Sequence, residues 1–143
     1  MLDPNVVTFF YGSYINPNVL REAGLAPKRM DVARLPGFDI EIRPLANLVP
    51  SDQHTVYGIL ASATHSELDR LYAHARDVLG GVYLPHPVVV QNSNGQLEPA
   101  LCYIAPHIDP APAARDYVRR IVEPAREYGF PSWYIDRLEA FLS

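Results

Sequence analysis

VTFFYGSYINPNVL, Val7 to Leu20, changes character halfway along. Val7 to Phe10 is β-branched and aromatic and reads as a buried strand. Asn16, Pro17 and Asn18 read as a helix start, with Asn16 as N-cap and Pro17 at the first helical position. Between them, Tyr11-Gly12-Ser13-Tyr14-Ile15 is a tight polar-aromatic turn. A strand that stops at a glycine and hands over to a helix aims backbone N–H groups into one concavity. Gly12 allows a close approach, the helix N-terminus favours negative charge, and Ser13 adds a hydroxyl. The turn therefore reads either as a cradle for a carboxylate or as a plain cap for the helix.

The 143 residues around this stretch are one domain's worth and enough to bury a core without staples. The apolar fraction of 48% and charged fraction of 20% are those of a globular protein. Formal net charge is −4 with both signs interspersed, so no basic stripe is present to neutralise phosphates and no nucleic-acid partner is expected. Cys102, the single cysteine, lies in the apolar run LCYIA and reads as a buried, inert thiol. MLDPNV lacks the charged and apolar regions of a signal peptide, and no run reaches membrane-spanning length. The expectation is a cytoplasmic protein with no membrane partner.

After the first helix, which Gly24 ends, Arg29 to Leu35 and Phe38 to Arg43 read as strands around the turn pair Pro36-Gly37. Leu45 to Val49 and Thr55 to Ala61 flank PSDQ in the same way. Thr64-His65-Ser66-Glu67 fits a capping box before a helix carrying Leu68, Leu71 and Tyr72. Val82 to Gln91 and Gln96 to Ile104 surround NSNG, the strongest hairpin signal in the chain. Pro85 and Pro87 put the first of these strands on an edge or at a bulge. The last third reads as helices over Ala111 to Tyr128, interrupted by Pro124, and Pro131 to Leu142. No repeat or linker divides the chain. The fold class expected is α+β: a small, mostly antiparallel β-barrel with inserted and C-terminal helices, as a single domain over residues 1–143.

YGS at the end of the first strand, followed by a helix, resembles the YGSN signature of the γ-glutamylcyclotransferase-like family. LANLVPSDQHTVYGIL is similar to its central hairpin. LDR at Leu68 to Arg70, GGVYLPHPVVV at Gly80 to Val90 and CYIAP at Cys102 to Pro106 follow in the family's order. The tail DYVRRIVEPAREYGFPSWYIDRLEAF resembles its closing helices, with Pro131 and Tyr134 at matching places. The resemblance implies that the substrate's α-amine attacks its own side-chain amide, releasing 5-oxoproline and an amine. It implies that the YGS loop grips the glutamyl end, and that a glutamate in an L-D-x-x-E-G motif moves the protons. On that basis Tyr11, Gly12, Ser13, Tyr14, Ile15, Tyr83 and Tyr134 are the expected substrate-binding residues, for a small molecule with a carboxylate or amino-acid end. No cofactor is implied, and a homodimer is compatible with the sequence.

The glutamate itself is missing. Counting forward from Leu68-Asp69, its position is Tyr72; counting back from Gly81-Val82-Tyr83, it is Arg76, because YAHARDVLGG is a few residues longer than its counterpart. Neither a phenol, ionised to roughly one part in a thousand at neutral pH, nor a guanidinium can act as the base. Tyr14 stands where the family has asparagine. Three residues are candidates to take over, in this order: Asp77 in the longer segment, Glu41 in the alternating run DIEIR, and His74, since imidazoles titrate near neutrality. Taken alone, each reads more readily as an exposed surface group than as a catalytic one.

The five histidines, His54, His65, His74, His86 and His107, form no short ligand pair, and no metal site is expected. Walker, G-x-G-x-x-G and G-x-S-x-G patterns are also absent. Tyr57, Tyr103, Tyr117 and Trp133 read as packing residues. The reading that follows is a small-molecule enzyme with altered acid-base residue and substrate. The alternative is an inactive binding or regulatory module with the same ligand class. A structural protein with a filled pocket is a third reading, which the retained glycine-serine turn disfavours.

Overall fold

A computed structural model of the protein describes residues 4–142. The apolar run at the start forms β1 (Asn5–Phe10), whose last three residues are buried. It runs antiparallel to β3 (Ala46–Thr64), which in turn pairs antiparallel with β2 (Met30–Ile42). β4 (Leu84–Asn92) and β5 (Leu97–Ile104) make a second antiparallel hairpin around NSNG, with Gly95 at a φ of 79°. The order β1-β3-β2-β4-β5 closes into a barrel. A parallel pairing of Thr8 with Leu101 makes one seam, and pairs joining Ala33 and Arg34 to Asn92 and Gln91 make the other. The α+β class and the mostly antiparallel barrel are those expected. Pro85 and Pro87 lie in the part of β4 that pairs with β5 alone, where a missing N–H costs no ladder bond.

Pro36-Gly37 and PSDQ, read as turns, are instead one shared corner of a long bent hairpin. Pro36 faces Thr55 and Phe38 faces Pro50, so the register jumps there. Gly37, at a φ of 92°, supplies the left-handed residue that the irregularity needs. The chain reverses at Arg43-Pro44-Leu45, between Ile42 and Ala46. Ile40 and Ile42 are fully buried inside the barrel, which turns Glu41 between them outward.

Helix boundaries follow their caps. Asn16 caps α1 (Pro17–Glu22) by accepting from the Asn18 N–H at 2.9 Å, and Gly24 ends it at a φ of 82°. Thr64 and Glu67 form the expected capping box at the start of α2 (His65–His74). The third helix begins at Arg115 rather than Ala111, because Pro110 and Pro112 favour extended backbone before them. Pro124 does not interrupt that helix, α3 (Arg115–Glu127), and α4 (Ser132–Glu139) follows it.

Pro124 has no N–H for the Arg120 carbonyl four residues back. That carbonyl instead accepts from Asn16 Nδ2 at 3.0 Å, so one side chain caps α1 and fastens the turn before it to α3. The Tyr128 hydroxyl adds a bond to the Ile15 carbonyl at 3.1 Å. Asn16→Asp keeps the cap but removes the donor to Arg120. It is expected to cost about 1–2 kcal/mol, read by urea denaturation.

Arg137 on α4 ties that helix to β2. Its Nη2 donates to Asp39 Oδ2 at 2.8 Å and to the Ile40 carbonyl at 3.2 Å. Burial alone would raise the Asp39 carboxyl; the hydrogen bond and charge of Arg137 outweigh it and hold it below its ordinary value. A depressed carboxylate contributes stability above its unfolded pKa, about 3.9, and loses it as pH falls through the folded pKa. The gap in Tm between wild type and Asp39→Asn should therefore be constant at neutral pH and close below about pH 4. Thermal melts across that range check it.

Candidate functional site

β1 runs directly into the tight turn at Tyr11 to Ile15. Beyond Tyr11, residues Ser13–Ile15 form a 3-10 turn, with the Ile15 N–H on the Gly12 carbonyl at 3.1 Å. The first turn of α1 is capped by the Asn16 side chain, and no residue of that helix lines the cleft described below. Gly12 is there for space. A Cβ on it would lie 2.7 Å from the Ala46 Cβ, so the turn packs directly on the first residue of β3.

Ala46 is gripped through both of its backbone polar groups. Its N–H donates to the Tyr117 hydroxyl at 2.9 Å, and its carbonyl accepts from the Tyr83 hydroxyl at 2.5 Å. The Ser13 hydroxyl lies near enough to the Tyr117 oxygen to offset part of the rise that burial gives that phenol's pKa. The Tyr117 oxygen accepts from Ala46, so its own hydrogen, like that of Ser13, can be offered to a ligand. Tyr11 is anchored by donating to the Tyr103 carbonyl at 2.7 Å, and Tyr14 by donating to the Leu71 carbonyl at 2.9 Å.

Above this floor lies a narrow cleft, partly open to solvent, whose free volume is about 30 Å3. Six of the nine tyrosines line it: Tyr11, Tyr14, Tyr72, Tyr83, Tyr103 and Tyr117. Tyr72 stacks on Tyr103 with ring centroids 3.8 Å apart and meets Tyr14 edge-on at 5.5 Å. Burial pushes all six phenols above their ordinary pKa, so they stay neutral at neutral pH. Phe10, Gly12, Ser13, Ala46, Ala75 and Leu79 complete the lining, and none of the twelve residues is charged. Neutral donors in an aromatic-walled cleft can hold a carboxylate or a developing oxyanion, and hydrogen bonds are stronger there than in water.

Of the residues expected from sequence, Tyr11, Gly12, Ser13, Tyr14 and Tyr83 come together at this cleft. Ile15 is fully buried beneath the turn and presents no surface to it. Tyr134 is elsewhere: it packs against Tyr57, Phe130 and Trp133 in the core under α4. Asp77 does not reach the cleft. The extra residues of YAHARDVLGG wind into a π-helical turn, Ala75–Leu79, which turns Asp77 to solvent beside Arg76 at 3.1 Å. Glu41 lines a separate surface groove with Arg43, Asn47 and His107.

Of the two residues reached by counting, Tyr72 lines the cleft and Arg76 does not. Arg76 faces an outer groove with Asp69, on the far side of the Tyr72, Tyr83 and Tyr103 rings. Tyr103 and Tyr117, read as packing, are cleft walls as well. No spacing signals this, because α3 and β5 reach the turn only through the barrel's closure. Cys102 is buried, its thiol pushed up to about 12 by burial. Among the described residues, no group of three His, Cys, Asp or Glu side chains could hold a metal ion, and no helix is long and apolar enough to cross a membrane.

No family model matches the chain, and no curated protein sequence does. Solved structures do match. An uncharacterised protein from Homo sapiens superposes with a TM-score of 0.82 at 23% identity, over 95% of this chain and 87% of that one. A γ-glutamyl cyclotransferase gives 0.81 at 23% identity, over 96% and 88%. A yeast γ-glutamyl cyclotransferase specific to glutathione gives 0.66 at 12% identity, over 96% and 95%. The chain has the γ-glutamyl cyclotransferase-like fold.

Proposed function

We propose that this protein is a small-molecule enzyme that closes the α-amine of a γ-glutamyl compound onto its own side-chain amide, releasing 5-oxoproline and an amine. The observation that carries the reading is the cleft at the Gly12-Ser13 turn, on a fold shared with γ-glutamyl cyclotransferases. The partner is a small molecule with an amino-acid end. With no cation in the lining, its carboxylate is held by neutral donors: the Ser13 and Tyr117 hydroxyls and the amides of the turn. The same kind of donor stabilises the oxyanion formed when the amine adds to the amide carbonyl.

A binding or regulatory module is the second reading, and one observation favours it: no carboxylate or imidazole lines the cleft. Purified protein mixed with γ-glutamyl amino acids and γ-glutamyl amines, followed by mass spectrometry for 5-oxoproline, separates the two. Catalytic turnover of at least one compound is the expected result. A compound that raises the Tm without releasing 5-oxoproline would transfer the protein to the second reading.

A further inference from the structure

The proposed reaction needs a group that takes a proton and returns it, and the cleft's own side chains supply only phenols and one aliphatic hydroxyl. A buried phenol such as Tyr14, with its pKa raised, does not rest as a phenolate. It can pass a proton only if another group accepts its own at the same time. Asp77 faces solvent beside Arg76, Glu41 lies in another groove, and Asp69 faces the outer side of the tyrosine wall. His74, at the C-terminal end of α2, lies within hydrogen-bonding range: its Nδ1 is 3.4 Å from the Tyr14 hydroxyl.

That hydroxyl now donates to the Leu71 carbonyl, one helical turn before His74, at 2.9 Å. The two acceptors flank one oxygen, so a rotation about the phenolic C–O bond carries the hydrogen from Leu71 to His74. The contact is at the long end of the range, as such bonds are before substrate draws them in. The π-helical turn starts at the next residue, Ala75, which itself lines the cleft. The longer segment therefore leaves α-helical geometry one residue after the imidazole.

We propose that Tyr14 and His74 form the proton relay of this cleft, with Tyr14 touching the substrate's α-nitrogen and His74 acting through it. The inference rests on the turnover reading above. His74, in the tautomer with hydrogen on Nε2, takes the Tyr14 proton as Tyr14 takes one from the α-ammonium. The freed lone pair bonds to the amide carbon, and the nitrogen gives its second proton to solvent water as the ring closes. Tyr14, refilled by His74, gives a proton to the leaving nitrogen as its C–N bond breaks. The released amine then takes a proton from solvent water and leaves as an ammonium, which balances the proton given up at ring closure, so the protein ends as it began.

Tyr14→Phe, His74→Gln and the double variant should be assayed on the γ-glutamyl amide that wild type turns over best. Each single change is expected to lower kcat by about 100-fold with KM nearly unmoved. The double variant should be no slower than either single one, because the two act as a unit. A merely structural role would move KM and Tm and leave additive losses. His74→Asn serves if His74→Gln does not fold. Wild-type turnover with kcat retained in the folded His74 variant overturns the relay and leaves the enzyme reading standing. No 5-oxoproline from wild type with any amide overturns both.

Discussion

Gly58→Ala is expected to lose about 3 kcal/mol of stability, seen as a drop of roughly 10 °C in Tm. Gly58 sits in β3, and a Cβ there would lie 2.2 Å from the Phe10 carbonyl oxygen and 2.7 Å from Phe9 Cζ. A ring can swing away, but a carbonyl oxygen in a ladder cannot move without its strand. β1 must therefore shift where Phe10 pairs with Ile59, one residue before the turn that begins at Tyr11. The same variant should accordingly disturb the cleft as well as the barrel. Urea denaturation measures the first effect; a change within about 0.5 kcal/mol would mean that β1 and β3 are not packed as described.

Gly12→Ala is expected to abolish ligand binding at the cleft and to cost about 1–3 kcal/mol. Its new methyl meets the Ala46 Cβ at 2.7 Å. Ala46 cannot recede, because Tyr117 and Tyr83 hold its N–H and its carbonyl, and it is nearly fully buried. Relief must come from the turn moving outward, into the space a ligand would fill. Removing the opposing methyl tests that cause directly: Ala46→Gly added to Gly12→Ala should recover most of the lost stability and binding. A double variant no better than Gly12→Ala would place the strain elsewhere.

Interactions between neighbours in the chain make part of this molecule legible in its sequence. The Asn16 cap, the Thr64–Glu67 capping box and the NSNG hairpin are all of this local kind, and each forms as read. Pro36-Gly37 shows where that reasoning fails. A glycine at positive φ serves a turn or a strand irregularity equally well, and only the partner strand's register distinguishes them. Pro124 reads as a break because its own helix cannot satisfy Arg120; the side chain that does so lies 104 residues earlier.

The candidate site divides along the same line. Its floor, Tyr11 to Tyr14, is contiguous and carries the family resemblance. Its walls come from four further elements: Tyr72 from α2, Tyr83 from the segment before β4, Tyr103 from β5 and Tyr117 from α3. Tyr103 and Tyr117 are indistinguishable from core tyrosines in sequence, since burial of a ring and service in a cleft wall require the same residue. Counting along the chain favours Asp77, but the π-helical turn displaces it, a backbone choice that YAHARDVLGG does not announce.

If the Gly12-Ser13 turn receives the amino-acid end of the ligand, 5-oxoproline, the proposed product, should bind there. An amide-detected NMR titration of isotope-labelled wild-type protein with 5-oxoproline tests this at the level of single residues. Saturable shifts centred on Gly12, Ser13, Tyr14 and Ala46 are expected, together with their absence in Gly12→Ala. Shifts confined to another surface, such as the Arg43 and His107 groove, or no shifts at all, would contradict it.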